Sequence, residues 1–438
     1  MNGNELLDKM ELIDPAYVEA ADAQPRRKRN GWIKWGAVAA CLCVVTAITL
    51  AVVGRPEQQP SEPMHMGTTA PPSTEAPTER PTETAETQPD SVRLEILQIP
   101  ELYAGFGFGG FSVNDISEYR SGNPWSTDME LTTLPVYKNS AYDPTRAGVP
   151  RGLTEAEMQE RLTNLTERLG LTLLSSETQW DEVYLQRDDT EKQRLPISIE
   201  AQTDGGTLRI FADGDTAYFP SDDRTALPDG YRFTESSTTH DEAMATLAYL
   251  AETYNLLFGF KDPVSVTCCT YSVQGEMNRS YGLYDAGSSA EEAILNYNFR
   301  CVTFESDEYD IEKEQRDEAG GLYAIRLPYG EILGEKLGDY PIITAEEATE
   351  LLLSGYGQSS VPQEYPAPTA ETVDHVELVY RQGPSEELLL PYYRFDVRLP
   401  DGTISKVSGM KDYGVYYVPA VAAEYVADMP TYDGWFAG

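Results

Sequence analysis

Histidine and cysteine are scarce in this sequence, which limits the chemistry it can carry. The 438 residues include only three histidines and five cysteines. The sequence contains no C-x-x-C pair, H-E-x-x-H motif or G-x-S-x-G elbow, so it lacks the common zinc, thiol-redox and serine-hydrolase frameworks. We therefore predict no catalytic, metal-binding or cofactor-binding residues, no cofactor, and no enzyme activity.

Positive charge is also scarce. The sequence has 33 basic and 72 acidic residues, for a formal net charge of −39. Six residues of each sign lie before Trp35, so the whole acidic excess follows it. Nucleic acid is a polyanion that proteins bind through lysine and arginine, and so it is excluded as a partner of this acidic part.

One long apolar run is present, at residues 36–54, and it follows the basic cluster at residues 26–29 and Lys34. An uncharged run of about 19 residues is long enough to cross a bilayer as one helix. Trp32 and Trp35 precede it, and indole rings prefer the membrane interface. Because basic residues mark the cytoplasmic side, we predict a single-pass protein of the cell membrane with a cytoplasmic N-terminus and extracytoplasmic C-terminal domains.

A cleaved signal peptide is the alternative reading of this run. The long N-terminal extension, the length of the apolar core and the lack of a small-x-small cleavage site before Arg55 favour retention as an anchor.

The cytoplasmic segment, residues 1–35, carries an apolar stripe. Leu6, Leu7, Met10 and Ile13 share one face at helical spacing. A segment this short has no core of its own, so the stripe is expected to meet the membrane surface, another copy or a cytoplasmic partner.

Residues 55–91 are rich in proline, threonine and glutamate, with near repeats at residues 76–79 and 80–83. This composition favours an extended, disordered stalk.

Residues 105–110 (GFGFGG) match G-x-G-x-x-G but are followed by no helix signal, so we interpret them as a loop and not as a dinucleotide site.

Three capping-box signals predict helices in the remaining chain. T-x-x-E begins at Thr154, Thr239 and Thr344, and an apolar periodic segment follows each. Strand-like segments follow in turn, so we predict an α+β fold of repeated helix-plus-antiparallel-sheet units. The expected domains are residues 92–230, a middle unit at 231–335 and a C-terminal domain at 336–438.

The strands are predicted from alternation and turn signals. They lie at residues 197–202, 208–212, 216–219, 264–273, 297–304, 322–327, 375–381, 392–399, 403–407 and 415–418. Asp204-Gly205-Gly206 and Asp401-Gly402 are the expected hairpin turns.

Two residue types after the stalk are candidates for special roles. Cys301 and either Cys268 or Cys269 are compatible with one disulfide in an oxidising compartment. Tyrosine occurs 28 times. Cross-strand aromatic pairing is the favoured interpretation of the tyrosines in the last strands, and a surface that contacts protein or glycan is the alternative. The tyrosines concerned are Tyr392, Tyr393, Tyr413, Tyr416 and Tyr417.

The C-terminal quarter resembles a known family. Residues 343–348 (ITAEEA), 351–355 (LLLSG), 376–380 (VELVY), 390–395 (LPYYRF) and 416–421 (YYVPAV) are similar to the C-terminal domain of YycI-type regulatory proteins. The resemblance implies a PepSY-like fold and a membrane-anchored regulator of Gram-positive bacteria that, with its YycH relatives, restrains a histidine kinase. The N-terminal segment resembles that of bacterial membrane proteins of which some are similar to anti-sigma factors.

These features lead to three functional hypotheses. The first is a non-enzymatic extracytoplasmic binding and regulatory protein that engages an envelope protein, such as a histidine kinase, or a cell-wall component. The second is anti-sigma-type signalling, with a sigma factor bound by the Leu6, Leu7, Met10 and Ile13 stripe. The third is an exported hydrolase of wall polymers that uses two carboxylates.

Overall fold

The structure is a computed structural model of the chain. It describes residues 94–98, 110–142, 152–184, 191–221, 227–306, 309–310, 315–316, 320–328, 332–359, 361, 365–382 and 386–427. The predicted cytoplasmic segment, membrane helix and stalk lie outside these residues. Among the described residues, no helix has both the length and the apolar character that spanning a membrane requires.

The fold is α+β, and its described part contains four α-helices. They are α1 (Glu155–Leu169), α2 (His240–Phe258), α3 (Ala290–Phe299) and α4 (Ala345–Leu353). Helices α1, α2 and α4 begin at the predicted capping boxes, where each threonine hydroxyl accepts from the amide of the glutamate three residues later and that carboxylate accepts from the threonine amide. Helix α3 was not predicted, although Ser289 caps it through the amide of Glu292.

Sheet dominates the rest of the described chain. The strands are β1 (Leu97–Gln98), β2 (Phe111–Val113), β3 (Thr133–Asn139), β4 (Leu173–Val183), β5 (Gln193–Thr203), β6 (Gly206–Phe211), β7 (Thr216–Pro220), β8 (Pro263–Tyr271), β9 (Met277–Asp285), β10 (Val302–Ser306), β11 (Tyr309–Asp310), β12 (Gln315–Arg316), β13 (Leu322–Leu327), β14 (Leu333–Pro341), β15 (Gln358–Ser359), β16 (Val373–Tyr380), β17 (Leu388–Leu389), β18 (Pro391–Arg398), β19 (Lys411–Pro419) and β20 (Val426–Ala427).

Thirteen of these strands form one sheet. Its order is β16-β18-β19-β2-β8-β9-β10-β13-β7-β6-β5-β4, with β15 also paired to β19, and every neighbouring pair is antiparallel. The sheet therefore runs through the expected boundaries at residues 230/231 and 335/336, because β7 pairs with β13 and β8 connects through β2 to β19.

The smaller sheets attach early residues to late ones. Strand β3 lies between β14 and β17 in an antiparallel sheet, and β1 pairs in parallel with β20. Strands β11 and β12 form a hairpin. The early strands β1 and β3 thus pair with late parts of the chain, while β2 pairs with both β8 and β19.

Two hydrophobic cores cover the sheet. Helices α1 and α2 pack on β5, β6, β7, β9, β10 and β13 around side chains such as Leu162, Leu250 and Tyr218. Helices α3 and α4 pack with β3 on β16, β18 and β19 around Phe299, Leu352 and Phe395. A smaller cluster around Phe111, Tyr119 and Tyr413 lies at β2. This strand joins the two halves of the sheet, because it pairs with β19 on one side and with β8 on the other.

Two strand predictions are wrong. Residues 403–407 form bends and irregular chain, because the buried Asp412 carboxylate accepts the amides of Ile404 and Ser405 at 2.8 and 3.1 Å. The expected hairpin at Asp401-Gly402 is therefore absent. In the segment 297–304, residues up to Phe299 belong to α3, and only the part from Val302 is strand.

Candidate functional site

Six strands and one helix form a ring of contacting elements. The ring runs β16-β18-β19-β2-β8-β9, and α3 contacts both β9 and β16. Asn298 of α3 accepts the Tyr380 amide at 2.9 Å, which satisfies a donor of β16. This arrangement brings residues that are distant in sequence to one buried place.

A cluster of buried charges lies within the ring and is centred on Glu377. Its Oε1 accepts from Nη1 of Arg120 at 2.8 Å and from Nη1 of Arg394 at 2.6 Å, while Oε2 accepts from Asn123 Nδ2 at 2.9 Å. Glu377 is 2% exposed and Arg394 is 3% exposed. Burial alone would raise the pKa of Glu377, but the two guanidinium groups and these hydrogen bonds lower it to about 2.

Aromatic rings and a second carboxylate complete the surroundings of Arg394. Its Nη2 donates to the Tyr119 hydroxyl at 2.7 Å and lies 2.9 Å from Oδ1 of the fully buried Asp396. The guanidinium carbon is 5.1 Å from the Tyr119 ring centre, and that ring stacks on Phe111 at 3.8 Å. The Arg394 guanidinium is thus neutralised by the carboxylates of Glu377 and Asp396, and the Tyr119 ring covers one of its faces.

His375 links this cluster to the surface. Its Nδ1 is 2.9 Å from Asp396 Oδ2, and its side chain is 38% exposed. The hydrogen bond to Asp396 raises the pKa of His375 despite the opposing effect of burial. Both buried carboxylates, Glu377 and Asp396, are therefore held by cationic or hydrogen-bonding partners, and neither lines the groove described next. We interpret the cluster as a structural joint between the two halves of the sheet.

An open groove of about 530 Å³ runs beside α1. Its lining combines apolar side chains with charged and amide groups: Leu153, Glu157, Glu160, Arg161, Asn164, Leu165, Arg168, Thr216 and Leu327. The α1 members recur at helical spacing, so one flank of the helix forms one wall, and the start of β7 and the end of β13 form the other.

Thr216 is the unusual member of this lining. It is 2% exposed, and its hydroxyl has no hydrogen-bond partner in the structure. Buried hydroxyls are normally paired, because leaving one unpaired costs free energy. A ligand that reaches the base of the groove can supply the missing partner.

Charges around the groove are arranged by the fold. Arg168 donates from Nη2 to the Leu257 carbonyl at 2.6 Å, near the end of α2. Glu157 is held in the α1 capping box, where Oε2 accepts the Thr154 amide at 2.8 Å. Asp213 lies close enough to Arg161 and Arg326 to interact electrostatically with them, yet burial still raises its pKa. The charged and amide groups of the lining therefore all lie on the α1 wall, and the opposite wall adds the Thr216 hydroxyl.

The tyrosines predicted as a contact surface are mostly in the core. Tyr392, Tyr393, Tyr413 and Tyr416 are each 3% exposed or less, and Tyr417 is half-buried. Tyr393 and Tyr416 pack in the core with α3 and α4. On the other face, Tyr392 packs with Val136 and Tyr340, and Tyr413 packs with Tyr119. The structure therefore does not present the four as a contact surface. Aromatic packing is seen instead, as in the edge-on contact of Tyr392 with Tyr417 at 6.3 Å.

The disulfide prediction is wrong for a geometric reason. Cys268, Cys269 and Cys301 are free. Cys268 and Cys269 are on β8, whereas Cys301 directly precedes β10. Strand β9 lies between β8 and β10, so two strand spacings of about 4.8 Å separate Cys301 from the other two cysteines. A disulfide needs Cα atoms within roughly 7 Å. Burial raises the pKa of all three thiols, that of Cys301 to about 12.

The other predicted residues, Leu6, Leu7, Met10, Ile13, Trp32 and Trp35, lie outside the described residues. Sequence reasoning missed the groove entirely. The polar residues of α1 at 157, 160, 161, 164 and 168 do share one flank, and this periodicity was the available signal.

Comparison with known proteins adds no relative to these observations. No family model matches the chain, and no curated protein or solved structure matches it significantly.

Proposed function

We propose that this chain is a non-enzymatic, membrane-anchored binding and regulatory protein, whose extracytoplasmic part engages an envelope protein or a cell-wall component. The single observation that carries the binding role is the groove beside α1 with the unpaired Thr216 hydroxyl at its base. The volume of about 530 Å³ lies within the range of small-ligand and side-chain pockets.

The remaining elements of the proposal come from the sequence. Residues 36–54 supply the anchor, residues 55–91 the stalk, and the C-terminal quarter the likeness to PepSY-like, YycI-type regulators. In this proposal, the helix-plus-sheet units belong to that fold type, and the stalk holds the groove away from the membrane surface. In this proposal, the envelope protein or wall component that is engaged occupies the groove.

Site-specific cross-linking in cells tests the binding role. A photoreactive amino acid replaces Asn164, an exposed residue of the groove wall, in the full chain. The matched control carries the same amino acid at Thr163, which is also exposed but points away from the groove on the same helix.

We expect ultraviolet light to produce a defined adduct with an envelope protein or wall fragment at position 164 and not at position 163. Adding Thr216→Val, which removes the hydroxyl and keeps the shape, should reduce its yield. Absence of an adduct at position 164, or equal adducts at both positions, would contradict the proposal.

A further inference from the structure

Strand β4 forms one outer edge of the large sheet. Within the part of the chain that the structure describes, β5 is its only pairing partner. Eight of its eleven residues are exposed, and none is buried. An edge of this kind displays unpaired amides and carbonyls, which bind extended chains.

We propose that the outer edge of β4 is a docking site for an extended, lysine- or arginine-containing segment of a partner protein, which adds to the sheet as a further strand. This site is separate from the α1 groove, so the failure of either proposal leaves the other intact.

Two bulges define where such a segment can pair. The register shifts between Leu173 and Ser175 and again between Gln179 and Trp180. Residues 175–179 lie between these shifts and pair regularly with residues 198–202 of β5. A strand of five residues has the usual length of a strand in globular proteins, about 17 Å. The regular part of the edge therefore fits one ordinary strand.

This stretch is also held against the body of the protein. The Thr178 hydroxyl donates to Glu155 Oε1 at 2.5 Å, which joins the middle of β4 to the first turn of α1. A docking edge that is fixed in the free protein costs little ordering when a partner binds.

The negative charge of β4 indicates which kind of partner segment it favours. Glu177, Asp181 and Glu182 lie on β4, and none of them forms an ion pair among the described residues. On the neighbouring strand, Glu200 already pairs with Arg209. The β4 carboxylates are therefore available to cations from outside, and complementary charge favours a basic segment.

A second copy of the chain is a poor occupant by the same reasoning. It would place three more carboxylates against these three, and the whole chain carries a net charge of −39.

Exposed apolar side chains on β4 also favour a partner that covers them. Leu173 is 43% exposed and Leu174 is 66% exposed, whereas the exposed ring of Trp180 is partly covered by Arg194. A basic strand with apolar residues at alternate positions would satisfy both features.

The test uses the full chain in nanodiscs of zwitterionic phosphatidylcholine, to which a basic peptide has little attraction. The probe is an eleven-residue peptide of alternating lysine and valine. Two comparison peptides have glutamate in place of lysine, or alternate N-methylated residues that cannot pair along one edge. Fluorescence anisotropy measures affinity, and hydrogen exchange measures protection of the β4 amides.

We expect the lysine peptide to bind and to protect residues 175–179, and the two comparison peptides to bind about tenfold more weakly or worse. The triple variant Glu177→Lys, Asp181→Lys and Glu182→Lys should prefer the glutamate peptide. A control triple variant, Glu130→Lys, Glu252→Lys and Asp401→Lys, changes the net charge equally at exposed positions elsewhere and should behave like the original chain.

Three results would overturn the proposal. They are equal affinity of the two triple variants for the lysine peptide, peptide binding without protection of β4, and protection of β4 that depends on protein concentration in the absence of peptide. The last result would assign the edge to a second copy of the chain.

Discussion

At the scale of single residues, Glu377 is a side chain whose replacement should affect stability strongly. It holds Arg120, Arg394 and Asn123 together in a buried place. We expect Glu377→Gln to destabilise the protein by about 3 kcal/mol at pH 7, because it removes the carboxylate that Arg120 and Arg394 share and leaves the buried Arg394 with Asp396 as its described counter-charge. Urea unfolding of the full chain in detergent micelles measures this. The control, Glu335→Gln, breaks the exposed pair with Lys138 and should change stability much less.

The pH dependence of the same variant separates charge from packing. The pKa of Glu377 is about 2 in the folded protein, against an ordinary value of 4.5. A lowered folded-state pKa stabilises the protein above pH 4.5, and this stabilisation is lost as the pH falls from 4.5 towards 2. Glu377→Gln should therefore lose less stability than the original chain over that interval. An unchanged acid dependence in the variant would contradict the assignment of charge to Glu377.

At the scale of helices and strands, the capping boxes give the clearest prediction. Thr239→Ala removes the hydroxyl that accepts the Glu242 amide at the start of α2. We expect it to destabilise the protein by about 1 kcal/mol in urea unfolding. Thr239→Ser keeps the acceptor and should restore most of the loss, whereas equal loss in both variants would show that the methyl group, not the cap, is responsible.

The same elements show what the sequence could predict. A capping box needs only residues three apart, so Thr154, Thr239 and Thr344 located their helices correctly. Helix α3 was mistaken in part for a strand because its aromatic residues, Tyr297 and Phe299, also suit strands. The segment 403–407 has the alternation of a strand, but the Asp412 carboxylate, eight residues after Ile404, accepts its amides. The alternation pattern does not reveal this competing acceptor.

At the scale of the whole molecule, the β2–β8 joint connects the two halves of the sheet. The described register between these strands is the single pair Ser112 and Tyr271, supplemented by a bridge between Arg120 and Cys268. Gly122 follows this bridge with φ +81, and a Cβ there would lie 2.5 Å from the Ser265 carbonyl oxygen. Its own carbonyl accepts from the Tyr284 hydroxyl at 2.9 Å.

We expect Gly122→Ala to separate the two halves thermally. The clash with β8 should weaken the joint, so that calorimetry of the full chain resolves two unfolding transitions where the original chain has one. Gly230→Ala is the matched control, because Gly230 also has a positive φ, +98, but has open space at the Cβ position. A single transition in Gly122→Ala, or the same splitting in both variants, would contradict this role of the joint.

The joint and the charge cluster were beyond prediction from sequence. Glu377 meets partners 254 and 257 residues away, and opposite charges are too common in this chain for such pairs to be recognised by type. The tyrosine pattern had the same difficulty, because alternation along β18 and β19 cannot tell whether each face is covered. Here α3 and α4 cover one face, and side chains such as Val136, Tyr340 and Tyr119 cover the other.

The three unbonded thiols have a practical consequence for how the chain is made. Cys268, Cys269 and Cys301 are free thiols, and burial favours their protonated form. The described part therefore reaches its native state without oxidation of these thiols. Formation of a disulfide among these three thiols is therefore not a step in the folding of the described residues. The melting temperature of the described part should be the same with and without dithiothreitol, and this part should fold as well in a cell growing without oxygen as in an aerated one.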